Sequence, residues 1–133
     1  MRGLNRITLV GRLGQEPESR VSKNNYPLTT FSVATNRSRK EGDKWIEETD
    51  WHDVKVFGED AERCTKRLKK GSCVAVDGTL VYETWTDDAG QKRRRPRILA
   101  NKVEFLMDLK SLFLDPAAAD EEQDEDEEHT AVA

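Results

Sequence analysis

Apolar and polar residues alternate along residues 4–13. Ile7, Leu9, Gly11 and Leu13 share one side, and Arg6, Thr8, Val10 and Arg12 the other. A period of two places neighbouring side chains on opposite faces of a strand, so this segment predicts a half-buried β-strand. Gly14 and Pro17 interrupt it. Residues 18–21 extend as a short second strand, and Asn24-Asn25 marks a turn before Pro27. Residues 28–35, LTTFSVAT, are β-branched and aromatic and predict a strand. The polar stretch from Asn36 to Asp43 predicts a loop or hairpin tip. Residues 45–57 alternate again, with Trp45, Glu47, Thr49, Trp51, Asp53, Lys55 and Phe57 on one side. Ile46, Glu48, Asp50, His52, Val54 and Val56 take the other. Across 59–70, Ala61, Cys64, Thr65 and Leu68 recur at helical spacing, and Gly71 is placed to end that helix. Residues 72–85 and 92–105 predict two strands joined by a turn at Asp87 to Gly90. In the second of them Arg93, Arg95, Arg97 and Leu99 alternate against Arg94, Pro96, Ile98 and Ala100.

Several strands with one helix between the third and fourth major strands predict an all-β domain with one helix. The matching architecture is a five-stranded Greek-key barrel, the OB-fold, a frequent binder of oligonucleotides and oligosaccharides. A chain of 133 residues suits one such domain. We expect it over residues 1–110, followed by a short acidic tail over 111–133 that is disordered from Pro116, where apolar content fails.

Charge sharpens that division. The whole chain has a net charge of −4, but nine acidic and no basic residues fall from Asp115 onward. Residues 1–114 carry 22 basic and 17 acidic side chains, a net of +5. A basic domain suits a polyanionic partner, and an acidic tail suits protein contacts. No window nears the roughly 18 apolar residues that cross a bilayer. Patterned strand sequence begins too early for a signal peptide, so the expectation is a cytoplasmic protein with no membrane contact. Cys64 and Cys73 have neither CxxC spacing nor a nearby histidine. They predict two buried thiols and no metal site. No cofactor is expected, because no phosphate-cradling glycine loop is present.

Binding single strands without sequence preference needs aromatic faces for bases and cations for phosphates. The side of residues 45–57 that carries Trp45, Trp51 and Phe57 also carries Glu47, Asp53 and Lys55, so it predicts a solvent face with exposed rings. Trp85 falls near the tip of the last hairpin, opposite Lys92-Arg93-Arg94-Arg95-Pro96-Arg97. There Arg93 and Arg95 can pair with phosphates or stack on bases. His52 points with Val54 and Val56 and predicts packing or a subunit contact. No carboxylate pair lies beside a nucleophile, and the sequence offers no catalytic constellation.

These residues resemble the bacterial-type single-stranded DNA-binding proteins, the SSB family. Six ordered blocks over residues 3–107 carry the resemblance. Asn5 to Gly14 with Glu16-Pro17-Glu18 and Arg20 opens it, and Phe31 to Asn36 follows. Thr49 to His52, Val54 to Gly58 and Ala61-Glu62 form the centre. Leu68 to Ser72, Val76 to Leu80, and Trp85-Thr86-Asp87 with Gly90 and Arg93 complete it. The resemblance implies an OB-fold, a homotetramer with DNA wrapped outside it, and a nucleoid-associated role in replication, recombination and repair. It implies that Trp51, Phe57 and Trp85 stack on bases, that His52 lies at a subunit interface, and that Arg6 and Lys70 occupy commonly basic positions. Arg39 stands where some members carry a stacking Trp. It can stack as a cation, or Trp45 can substitute for it. Val21 stands where many carry Tyr, and Thr84 where Lys is frequent. The family's acidic end with a Pro-Phe tip docks replication and repair proteins. Here the acidic tail reads His129-Thr130-Ala131-Val132-Ala133 instead. Two alternatives stay open: an OB-fold accessory protein of primosomal type that works through protein contacts, and RNA in place of DNA.

Overall fold

The computed structural model describes residues 1–107. The expected acidic tail and the boundary at residue 110 lie outside the described residues. Six strand segments and one helix follow in order: β1 (Ile7–Leu13), β2 (Glu18–Val21), β3 (Pro27–Glu41), β4 (Lys44–Phe57), α1 (Glu59–Arg67), β5 (Cys73–Thr86) and β6 (Lys92–Leu106). The sheet order is β1-β5-β6-β4-β3-β2, and β1 also pairs with β3. That extra pairing, Arg12 to Ala34 and Leu13 to Val33, closes the sheet on itself. β1 and β2 both run antiparallel along β3, with a register shift of two residues between Leu13–Val33 and Glu18–Thr30, so they act as two segments of a single barrel strand interrupted between Gly14 and Pro17. The result is the expected five-stranded barrel. Neighbours are antiparallel except β4 and β6, which meet in parallel at Val54–Ile98 and Lys55–Leu99.

The alternation read from the sequence explains the core. Leu13, Phe31, Val33, Val54, Val56, Val74, Val76, Ile98 and Val103 point inward, and Ala61, Cys64 and Leu68 from the helical segment pack against them. Thr29 is the buried polar side chain among the described residues. Its hydroxyl donates to the Ala61 carbonyl at 2.7 Å and lies 2.8 Å from the Thr65 hydroxyl, tying α1 to β3. Burial pushes the Cys64 thiol up to about 12. Cys73, expected to be buried, is only half-buried.

Two expectations about elements are corrected. Asn36 to Asp43 is not a loop. β3 runs to Glu41, and only Gly42 and Asp43 form the turn. Gly42 sits at φ 62°, as the first residue of a two-residue hairpin loop allows. Cross-strand partners hold this polar ribbon: Arg37 bonds Asp50 at 2.8 Å and Glu48 at 2.6 Å, and Asn36 accepts from Thr49 at 2.9 Å. Opposite charges at facing positions make up for low strand propensity. The helix also stops early, because Leu68 turns extended to enter the core. Gly71 therefore does not cap it. It occupies a later turn at φ 88°, and its N–H donates to the Leu13 carbonyl.

Candidate nucleic-acid interface

The outer face of the barrel carries the predicted aromatics. Trp51, Phe57 and Trp85 are 60%, 39% and 46% exposed, and Trp45 is exposed near the β3–β4 hairpin tip. Trp45, Trp51 and Phe57 share one side of β4 by parity. The Trp51 ring lies over the backbone of Gly14, where a Cβ would fall 2.3 Å from Cζ3. Phe57 stacks with Tyr26 at 6.4 Å between centroids and 26° between planes, and the Lys55 ammonium is 6.0 Å from its ring. The Arg95 guanidinium sits 5.9 Å from the Trp85 ring.

Two further exposed rings escaped the sequence reading. Tyr26 precedes Pro27 in the turn, and only its contact with Phe57 marks it. Tyr82 has the opposite parity to Trp85, and Arg94 lies 4.3 Å over its ring. The aromatic–arginine pairing therefore occurs on both sides of the β5–β6 hairpin. The alternation of Tyr82 and Trp85 against Arg94 and Arg95 was the available signal.

The predicted cations are less free than their count suggests. Arg6 forks onto Asp77, with Nε and Nη2 at 3.1 and 2.7 Å from its carboxylate oxygens. These bonds raise the Arg6 guanidinium and hold Asp77 below the usual carboxylate range. Arg12 donates to the Gly71 carbonyl at 3.1 Å. Arg93 donates to Asp87 at 2.9 Å. That contact, with backbone N–H groups of Gln91 and Ala89, lowers the Asp87 carboxyl. Lys55 pairs with Glu83 at 2.6 Å, and Arg95 reaches the same carboxylate at 4.0 Å. Arg97, read in the sequence only as part of the alternation, lies 3.3 Å from Glu83. Lys70 is exposed, and its backbone N–H donates to Glu16.

Arg39 does not join the aromatic set. It pairs across the hairpin with Ile46, on the side of β4 opposite Trp45 and Trp51, and is held by Glu48 and Glu41. His52 shares that opposite side and meets the Thr35 hydroxyl at 2.8 Å. Between β2, β3 and the β5–β6 hairpin lies a polar cleft of about 570 Å³, lined by Thr30, Ser32, Asp53, Glu83, Arg95 and Arg97 among others. It adjoins Trp85 through Glu83 and Arg95, which also line the recess at that ring.

Among the described residues no helix is long and apolar enough to cross a membrane. Residues 4–106 match the family described as the single-strand binding protein family. The single-stranded DNA-binding protein of Xylella fastidiosa strain Temecula1 is 37% identical over 106 residues, covering 79% of this chain and 65% of that protein. Single-stranded DNA-binding protein 1 of strain 9a5c is 40% identical over 108 residues, covering 80% of this chain and 79% of its own. The single-stranded DNA-binding protein of Treponema pallidum strain Nichols is 39% identical over 106 residues, covering 80% of this chain and 60% of its own. The match thus spans less than two thirds of two of these relatives. The Plasmodium falciparum SSB in complex with ssDNA superposes with a TM-score of 0.72 at 31% identity, covering 80% of this chain and 98% of its own. With 103 of its residues matched in order and a closed barrel of the same shape, this chain belongs to the single-strand binding protein family.

Proposed function

We propose that this protein binds single-stranded DNA without sequence preference and protects it during replication, recombination and repair. The observation that carries this reading is the placing of Trp51, Phe57 and Trp85 as exposed rings on the outer surface, with cations beside Phe57 and Trp85. Stacking accepts any base, and cations track the phosphates. Arg93, Arg95, Lys55, Lys70, Arg6 and Arg12 are the phosphate contacts in this reading, and Trp45 extends the aromatic path along the hairpin. Arg39 serves only if the strand crosses to the opposite side of that ribbon. The reading is of a binding module, not an enzyme.

The assembly is a homotetramer in this reading. His52, Thr35 and the ion-paired side of the β3–β4 hairpin form a surface on which a second copy can pack. Light scattering giving a monomer mass at micromolar concentration overturns the assembly and leaves the DNA reading in place.

A thymidine oligomer titrated against intrinsic Trp fluorescence tests the function. Stacking on Trp51 and Trp85 quenches strongly, whereas an accessory protein acting through protein contacts shows no such change. Phe57→Ala and Trp85→Ala should each weaken binding by about 1–3 kcal/mol with the fold retained. Unchanged affinity in both variants rejects the assigned site.

A further inference from the structure

We propose that Glu83 is a built-in stand-in for a DNA phosphate: its carboxylate holds Lys55, Arg95 and Arg97 in the unbound protein, and a bound strand takes those cations over. The inference rests on the single-strand reading above.

Its basis is the convergence on one side chain. Glu83 Oε2 lies 2.6 Å from Lys55 Nζ, and Oε1 lies 3.3 Å from Arg97 Nε and 4.0 Å from Arg95 Nε. β6 lies between β5 and β4 in the sheet, so Glu83 reaches over β6 to meet Lys55. The cations are partly withdrawn from water, with Lys55 20% and Arg97 11% exposed, so their mutual repulsion is poorly screened. The cleft also holds Glu16, Glu18 and Asp53 beside Arg20, so it is close to neutral as a whole, and a second anion gains Lys55, Arg95 and Arg97 only by taking the place of Glu83.

A phosphodiester presents the same features as the carboxylate: one negative charge and two terminal oxygens, which guanidinium forks accept equally. Glu83 also leaves a donor unmet, since the buried Arg97 Nε has no hydrogen-bond partner despite its proximity. Arg95 bridges two roles, touching both Glu83 and the Trp85 ring. A strand whose base stacks on Trp85 brings its phosphate to the cations that Glu83 holds.

Asp87 and Asp77 differ. Asp87 accepts backbone N–H groups of Ala89 and Gln91 and builds the hairpin turn. Asp77 accepts from the Thr8 hydroxyl across β1 and β5. The side-chain contacts of Glu83 among the described residues are all with cations, as are those of Glu48 in the β3–β4 hairpin, but Glu83 alone of the two holds half-buried cations and lines the recess at the Trp85 ring.

The experiment compares wild type with Glu83→Gln, which keeps the shape and removes the charge. Affinity for a labelled thymidine oligomer is measured from 50 to 200 mM salt. In the wild type, a displaced Glu83 collects a cation from solution, cancelling one that the phosphate released. Without that charge the slope of log affinity against log salt steepens by about 0.7, one ion's worth. Glu83→Gln should therefore bind more tightly at 50 mM, with an advantage that shrinks about threefold by 200 mM. Glu83→Asp, which keeps the charge, should hold the wild-type slope. Equal affinity and slope in wild type and Glu83→Gln overturn the inference. So does weaker binding with a flatter slope, which makes Glu83 a positioning residue for Lys55 and Arg97. If Glu83→Gln does not fold by circular dichroism, Glu83→Ser removes the same charge and is read the same way. A wild type that fails to bind the oligomer overturns the single-strand reading itself, whereas normal wild-type binding with an unchanged Glu83→Gln overturns this inference alone.

Discussion

Gly14 offers a way to move Trp51 without touching it. A methyl group there would fall 2.3 Å from Cζ3 and 2.7 Å from Cη2 of the indole. Carbon atoms in contact prefer about 3.5–4.0 Å, so the ring must shift by more than about 1 Å. Gly14 has no positive φ, so alanine brings no backbone strain. The obstacle is an exposed ring that can swing into solvent, so folding stability should change by less than about 1 kcal/mol. The lost stacking geometry should cost up to about 1–3 kcal/mol of binding, a factor of roughly 5 to 150. Gly11→Ala is the contrasting control. Its methyl would meet the Ala34 carbonyl oxygen at 2.2 Å and the Val33 side chain at 2.8 Å, where β1 closes on β3. That overpacking should cost about 1–3 kcal/mol of stability instead. The assay is anisotropy of a labelled thymidine oligomer with wild type, Gly14→Ala, Trp51→Ala and the double variant, beside their urea midpoints. If Gly14 acts through Trp51, adding Gly14→Ala to Trp51→Ala changes nothing further. Wild-type affinity in Gly14→Ala, or an equal loss on both backgrounds, refutes the reasoning.

The pH dependence of stability should carry the mark of Asp77 and Asp87. Both are held below the ordinary carboxylate value of about 3.9, so the stability they add is present above that value and lost as pH falls through their folded values. Thermal midpoints should drop with acid below about pH 4, and less steeply in Asp77→Asn or Asp87→Asn; parallel curves would count against both pairs. Residues 115–133 carry nine negative charges beside a domain of net +5, and tethering gives them a high local concentration. Removing them should tighten DNA binding at low salt and have less effect at high salt, as screening shortens the reach of charge. Equal affinities across a salt series would leave the tail only solubility or partner docking.

Much of the fold was legible because most strands bury only one face. Ile7, Leu9 and Leu13, or Val54 and Val56, could turn inward in only one register, and the same parity sent Trp51 and Phe57 outward. The β3–β4 ribbon was not legible, because its strands extend beyond the barrel without an apolar face. Arg37 looked like loop sequence until its partners, Glu48 and Asp50, could be identified across the turn. The helix end was misread for a related reason. Leu68 fits the helical stripe by spacing, and it reaches the core from extended backbone just as well.

The same gap governs the candidate site. A count of basic residues treats Arg6, Lys55, Arg93 and Arg95 as available for phosphate. Which of them holds a carboxylate depends on cross-strand register, and register joins residues as far apart in sequence as Arg6 and Asp77 or Lys55 and Glu83. Aromatics escape this ambiguity, because an exposed ring has no equally strong partner on the surface to neutralise it. The rings of β4 were therefore legible from parity and Trp85 from its place near the hairpin tip, whereas Tyr26, Tyr82 and the partners of the cations needed the fold. At Arg6, Lys55, Arg93 and Arg95 a phosphate contact would form where a carboxylate contact is given up, and only the difference would appear in binding. A surface of net +5 can thus hold a polyanion moderately and release it, with stacking supplying the part of the affinity that salt does not remove.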